Sequence, residues 1–412
     1  MTAPLSYRRL LRLDGMPQLF LAACLSRLAS RMFVLVIVLY VLDRFDSPVL
    51  AGWVAFASMM PGLLVSPLAG ALLDRLGAAK AIALDMAAST LLLLALAAAD
   101  IAGLVTAPLL LGFVALYSLT SPLGAAGIRV LIPRLVPKES LDLANALDTS
   151  SYALINVAGP AVAGVLFGFA GAQATMLLIV LLYAAASIRL VPLVRRTSSA
   201  LGTAGKSLVR DAWAGVVYVL RHVSLRSLAI SYALFQASWG VLVVAVPVVV
   251  VRELGAGALA DSVVGVLWAV AGLAGGLGAL YVGHLRTIGR ERQFIAVGTL
   301  ATAVAIYPVS ASFGLAGLAV GLVLVGFLEG PVDVGVLSLR QRRTDPAWLG
   351  RVLAVSMSFN MSGLPVGSAI GGILIVHSAP LTFAVAALAS ALAALVAWTL
   401  VPAAGDDGQH SP

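Results

Sequence analysis

Residues 49–80 read VLAGWVAFASMMPGLLVSPLAGALLDRLGAAK, and the first charged side chain in that stretch is Asp74. The 25 residues from Val49 to Leu73 are therefore one uncharged, largely apolar segment. A helix rises about 1.5 Å per residue, so about 20 apolar residues cross the roughly 30 Å hydrocarbon layer of a bilayer. The segment has the length and composition of a membrane span. It ends in a compact polar group, Asp74, Arg75 and Lys80, punctuated by Gly70 and Gly77.

The same pattern repeats along the chain of 412 residues. Apolar segments fall at 17–42, 49–73, 80–100, 104–128, 143–169, 173–194, 227–251, 262–283, 293–312, 315–338, 351–375 and 380–401. Residues of the AVILMFWYC class make up 61% of the chain and charged residues 11%. Soluble domains carry about 45–50% and about 25%, and a mean hydropathy of +1.05 cannot come from one buried core. Membrane barrels would show alternating segments of about 10 residues. The expectation is an all-α membrane protein with twelve transmembrane helices in two pseudo-symmetric six-helix bundles.

The net charge of +8 could point to a nucleic-acid partner, but the placement of the charges argues for topology instead. Basic residues cluster before the first span and in or near every even-numbered connection, 22 of the 26 in all. Only Arg44 and Arg252 fall in the odd-numbered connections. The positive-inside rule then puts both termini in the cytoplasm, and the excess of arginine over lysine, with abundant alanine and glycine, suggests a bacterial inner membrane. Cys24 is the single cysteine, so an intrachain disulfide is impossible. The first apolar segment runs past Leu39 without a small-residue cleavage site and is expected to be retained as a span.

The one long polar interruption, Arg195 to Arg226, contains an amphipathic stretch around Trp213 and Tyr218 that suits the cytoplasmic surface. It divides the chain into an N-terminal bundle (1–194), a linker (195–226) and a C-terminal bundle with a short tail (227–412). The halves echo each other. Asn156 and Gly159 recur 204 residues later as Asn360 and Gly363, with Pro160 and Pro365 beside those glycines. Duplicated halves are how many transporters build a midplane site.

The segment Gly70-Ala-Leu-Leu-Asp74-Arg75-Leu-Gly77-Ala-Ala-Lys80 resembles the signature loop of the major facilitator superfamily, with Ala79 where the family usually has a second basic residue. The resemblance implies that Asp74 latches onto the start of the eleventh span, where a helix dipole favours an anion. Leu131-Ile-Pro133-Arg134-Leu-Val-Pro137 and Leu141-Asp-Leu-Ala-Asn145-Ala-Leu147 are similar to the branch containing enterobactin-type siderophore exporters and macrolide efflux pumps. Gly159-Pro160 with Gly164 resembles part of the fifth-helix motif of drug–proton antiporters, and packing explains these glycines equally well.

Ionisable groups inside a bilayer cost at least about 2.5–3.5 kcal/mol each at a helix centre and usually line a pathway. Arg27 and Arg31 lie four apart in the first span, and Glu329 and Asp333 four apart in the tenth. Gly330-Pro331 between those acids suggests a broken helix at a proton or substrate site. Glu329 is the leading proton carrier, with Asp333, Asp85 and Asp148 behind it and the last two expected near the interface. The alternative is that the acids of the tenth span pair statically with Arg27 or Arg31. The branch often has an acid where Ser30 stands, so the resemblance leaves the proton site displaced or lost. Arg27, Arg31, Tyr117, Asn156, Tyr232, Gln236, Trp239, Trp268, Phe359 and Asn360 are candidate cavity residues. Gly159, Pro160, Gly164, Gly330, Pro331, Gly363 and Pro365 are candidate packing or hinge positions.

The four histidines are scattered, and neither a Gly-x-Ser-x-Gly elbow nor a phosphate-binding glycine loop occurs, which argues against an enzyme. The expected function is export of an amphipathic small molecule, of drug, macrolide or siderophore type, by alternating access with proton antiport. Uptake or lipid translocation is the alternative, and a membrane sensor is a third reading. Expected partners are the cargo, protons and the lipid bilayer; no cofactor or metal is called for, and one chain with two halves suffices as a monomer.

Overall fold

A computed structural model describes residues 7–137, 140–197, 208–284, 289–309, 313–344 and 349–402. Every regular element among them is helical: α1 Tyr7–Leu10, α2 Met16–Phe45, α3 Pro48–Ala57, α4 Met60–Leu76, α5 Ala78–Ile101, α6 Ala107–Leu135, α7 Leu141–Thr197, α8 Leu208–Arg221, α9 Val223–Leu254, α10 Ala258–His284 and α11 Glu291–Val304, then α12 Gly314–Arg342, α13 Leu349–Met361, α14 Gly363–Ile375 and α15 Ala379–Leu400. A wide turn at Ala305–Val309 continues α11.

Ten helical stretches among the described residues are long and apolar enough to cross a membrane. One of them, Ser150–Arg195, carries a sharp break at Gly171 (φ 80°, ψ 177°) and holds two spans. Glu291–Val304 with its wide turn supplies the remaining one, so the described helices accommodate twelve crossings. The outer faces carry bare Phe169, Ile188, Leu91 and Leu280 side chains, a surface that suits lipid rather than water.

Three of the breaks fall at prolines. Proline lacks the N–H that would bond the carbonyl four residues back, and its ring crowds that carbonyl. Helix α3 ends at Ala57, four residues before Pro61, and α13 ends at Met361, four residues before Pro365. Tyr307, just before Pro308, is extended at φ −142°, ψ 124°, and the ninth span turns there. Pro331 behaves differently from expectation. Helix α12 runs unbroken from Gly314 to Arg342 with Pro331 inside it. Gly330 is a packing position, since a Cβ there would fall 2.6 Å from the Gly275 carbonyl oxygen of α10.

The chain forms two compact units, residues 1–36 with 57–209, and residues 37–56 with 210–412. In the first unit α5 packs on α6 and α7, and α4 packs on α6. In the second, α9 packs on α14 and α15, α10 on α12, and α11 on α12 and α15. The α9–α14 seam is set by a run of glycines. Gly363, Gly367 and Gly371 lie against the backbone of Ala233, Ala237 and Val241, a four-residue rhythm matched on both helices. Any side chain on that stripe would strike backbone, so small residues are what allow the helices to approach. Helix α8 turns Val219 into a small cluster with Leu225 and Val352 and leaves Trp213 exposed.

Candidate functional site

In the first unit the polar groups gather where α2 meets α7. Asp148, Tyr152, Asn156 and Gly159 repeat at helical spacing and so share one face of α7. Gly159 admits α2, because a Cβ there would come within 2.5 Å of the Arg31 Cβ. Pro160 is half-buried and Gly164 buried on the same helix.

Arg27 is neutralised in place. Its guanidinium donates to Asp148 through Nη1 to Oδ1 at 2.7 Å and Nη2 to Oδ2 at 3.1 Å, and Nη1 also donates to Ser151 Oγ at 3.3 Å. The pair is shielded, with side-chain exposures of 15% and 18%. Asp148, a proton-coupling candidate in the sequence, is here the counter-ion of Arg27.

Arg31 differs from its neighbour. Its Nη2 donates to the Tyr152 hydroxyl, and its guanidinium lies 5.2 Å from the centre of the Tyr152 ring. The Arg27 guanidinium lies 5.5 Å from the centre of the same ring, so both cations approach Tyr152. Asn156, one turn further along α7, keeps a buried Oδ1 with no hydrogen-bond partner.

Tyr117 is tied to Tyr183 by a 2.6 Å hydroxyl–hydroxyl hydrogen bond and packs on Phe33 at 4.5 Å, so it sits in the interior of the unit. Asp85 is buried between α5 and α6, 7% exposed, with Oδ1 lacking a hydrogen-bond partner. The cause is Gly124, which has no side chain and leaves room for the carboxylate.

In the second unit Tyr232, Gln236 and Trp239 share a face of α9. Tyr232 donates to Asp333 Oδ1 at 2.5 Å, and Glu329, one turn before Asp333 on α12, lies within electrostatic reach of the same phenol. Gln236 donates through Nε2 to the Met361 sulfur at 3.6 Å, leaving Oε1 buried and unpartnered. Trp239 Nε1 is also buried without a partner, and its ring lies 6.0 Å from that of Trp268 on α10. Asn360 is buried on α13, while its neighbour Phe359 is exposed.

Two participants escaped the sequence. Arg340 was counted among the cytoplasmic loop charges, yet it lies inside α12 and is only 4% exposed. It reaches the Asn360 amide oxygen at 2.6 Å, in the orientation that also lets Asn360 donate to the Ser356 carbonyl at 3.1 Å. Asp333 and Tyr232 are its electrostatic neighbours. The seven-residue spacing from Asp333, two helical turns, was the signal that could have found it. Tyr152 was the other omission, legible four residues after Asp148.

For the signature segment, the surroundings of Gly70 and the side chains of Asp74 and Arg75 lie outside what the structure describes. The backbone corrects the expectation of a loop: α4 continues to Leu76, and the turn is Gly77 alone. Gly77 has φ 82° and ψ 144°, and its N–H bonds the Leu73 carbonyl at 2.8 Å. A side chain strains at that φ, whereas glycine does not. Lys80 follows in the first turn of α5.

Comparison with known proteins places this architecture. The family model of the Major Facilitator Superfamily matches residues 19–228 and again 228–411. A Sinorhizobium fredii protein described as an uncharacterized MFS-type transporter, y4rN, is 48% identical over 402 residues, covering 98% of each chain. A bacterial homologue of the iron transporter ferroportin, in an inward-facing state, superposes with a TM-score of 0.72 at 19% identity, covering 96% of this chain and 100% of that one. The nucleoside transporter NupG gives 0.74 at 11% identity, covering 93% and 98%. A D-xylose–proton symporter gives 0.70 at 14% identity, covering 95% and 99%. Likeness at such low identity carries the fold alone; the family match over both halves and the 48% identical relative carry membership. The chain is a multi-pass membrane protein that belongs to the major facilitator superfamily of transporters.

Proposed function

We propose that this secondary transporter exports an amphipathic small molecule by alternating access, driven by protons moving inward. Its place is the bacterial inner membrane, with both termini in the cytoplasm. The carrying observation is the stripe on α9. Tyr232 engages an acid at one end, and Gln236 and Trp239 hold unpartnered polar atoms at the other. An orphaned buried acceptor and donor are costly unless something bonds them, and cargo is the partner that a transport cycle supplies. The indoles of Trp239 and Trp268 suit the apolar body of the same molecule.

Glu329 and Asp333, one turn apart and both within reach of Tyr232, are the proton-bearing pair in this reading. Glu329 lies near the middle of α12, sixteenth of its 29 residues, where a charge is hardest to hold and a proton most useful. Transport of a fluorescent hydrophobic dye and a macrolide panel into proteoliposomes, under an imposed pH gradient, tests the proposal. Gradient-driven transport should be lost in Glu329→Gln or Asp333→Asn. Undiminished transport in both variants refutes the assignment of the pair.

Drug, macrolide and siderophore cargo all satisfy this chemistry. A lysolipid or lipid cargo is favoured by a different observation, the state of Arg31.

A further inference from the structure

We infer that Arg31, held by Tyr152, is an anion-recognising group of the first unit, so that the transported molecule carries a carboxylate, sulfonate or phosphate on an apolar body. The inference deepens the amphipathic-cargo reading and rests on it.

Two arginines one turn apart on α2 meet different fates. Arg27 has both guanidinium edges engaged by the Asp148 carboxylate. Arg31 has the neutral hydroxyl and ring of Tyr152. Arg31 is also the deeper of the two, sixteenth of the 30 residues of α2. From the centre of a span the side chain cannot readily extend to either head-group layer, as an arginine near a helix end does. Among the described residues no carboxylate pairs with Arg31, which leaves an electrostatic vacancy for one negative group, and a guanidinium offers two parallel donors to an oxyanion.

The surroundings hold the group in place rather than neutralise it. The Tyr152 ring lies within 5.5 Å of both the Arg27 and Arg31 guanidiniums, and its hydroxyl accepts from Arg31. Gly159 fixes the level of α2 by direct contact with the Arg31 Cβ. Asn156 adds an amide with an unpartnered oxygen one turn from Tyr152, which serves a polar substituent of the same ligand. The alternative partner for Arg31, the carboxylate of Asp148, is already taken by Arg27.

The test uses the full-length protein in nanodiscs and two dyes that share one skeleton. 8-Anilinonaphthalene-1-sulfonate is anionic, and N-phenyl-1-naphthylamine is its neutral counterpart. Binding is read by energy transfer from the protein's tryptophans. The wild type should bind the sulfonate at least tenfold tighter than the neutral dye. Arg31→Gln should reduce the ratio to within twofold, and Arg31→Lys should retain most of it, which separates loss of charge from loss of fold.

Phosphatidylcholine and phosphatidylglycerol nanodiscs distinguish the sources of the anion. Displacement of the sulfonate by phosphatidylglycerol in the wild type alone identifies a lipid phosphate. Indifference to lipid charge identifies a free anionic molecule. A wild type that binds neither dye, or binds the sulfonate no tighter than the neutral dye, overturns the inference, as does a ratio unchanged in Arg31→Gln. Neutral-dye binding that is weakened by Trp239→Leu, beside a ratio indifferent to Arg31, would leave the amphipathic-cargo reading standing and remove only the anion site.

Discussion

Asp148→Asn separates a structural acid from a proton carrier. The carboxylate meets Arg27 in two hydrogen bonds of 2.7 and 3.1 Å, with side-chain exposures of 15% and 18%. At an effective dielectric constant of 20, unit charges 4 Å apart attract by about 4 kcal/mol, and desolvation of both ions offsets part of that. Removing one partner leaves the other charge stranded, which costs about 3–5 kcal/mol in such pairs. A domain of 150–250 residues shifts its melting midpoint by about 2–4 °C per kcal/mol, so Asp148→Asn should lower the apparent Tm of purified protein by on the order of 10 °C. Arg27→Gln alone should do the same. The double variant Arg27→Gln/Asp148→Asn removes both charges and should recover most of the loss, with transport of cargo preserved. The assay is a thermal-unfolding series on all four proteins in one detergent. Additive losses in the double variant would refute the pairing. A stable but transport-dead Asp148→Asn, not rescued by Arg27→Gln, would return Asp148 to the proton pathway.

Other perturbations follow from the packing and the polar stripe. Gly367→Val puts a branched side chain into the Ala237 backbone, with the Cβ 2.7 Å from its carbonyl carbon, and should cost several kcal/mol and monodispersity on size exclusion. Trp239→Phe keeps an aromatic face and removes the indole donor; cargo affinity should fall about fivefold, the worth of one hydrogen bond of about 1 kcal/mol, as read by equilibrium binding. Arg340→Gln removes the donor to the buried Asn360 amide and should lower thermal stability by about 2–3 kcal/mol, with Arg340→Lys recovering part.

The fold was legible because a bilayer is a severe solvent. Spans such as Val49–Leu73 could be nothing else, and the basic clusters between them marked the connections. Local chemistry at the breaks was read less well. Pro331 was expected to break a helix that runs through it, whereas Pro61 and Pro365 each stop one four residues upstream. Composition around a proline does not reveal whether neighbouring helices hold it in line; the Gly330 contact with α10 does. In the candidate site, residue types were legible and pairings were not. That Arg27 takes Asp148 and leaves Arg31 to Tyr152 depends on the register of α2 against α7, which Gly159 sets by contact. Arg340 was misread because an arginine after a span ordinarily reports topology, and only the continuation of α12 to Arg342 puts it inside.

The central claim is that cargo leaves as protons enter through the Glu329–Asp333 pair, and counterflow tests it most directly. Proteoliposomes loaded with a cargo that the wild type transports and a trapped pH-sensitive dye are diluted into cargo-free buffer without any imposed pH gradient. Outward movement of the cargo should acidify the lumen in the wild type and leave it unchanged in Glu329→Gln and Asp333→Asn. Cargo efflux with a constant internal pH, or with alkalinisation, would contradict proton antiport.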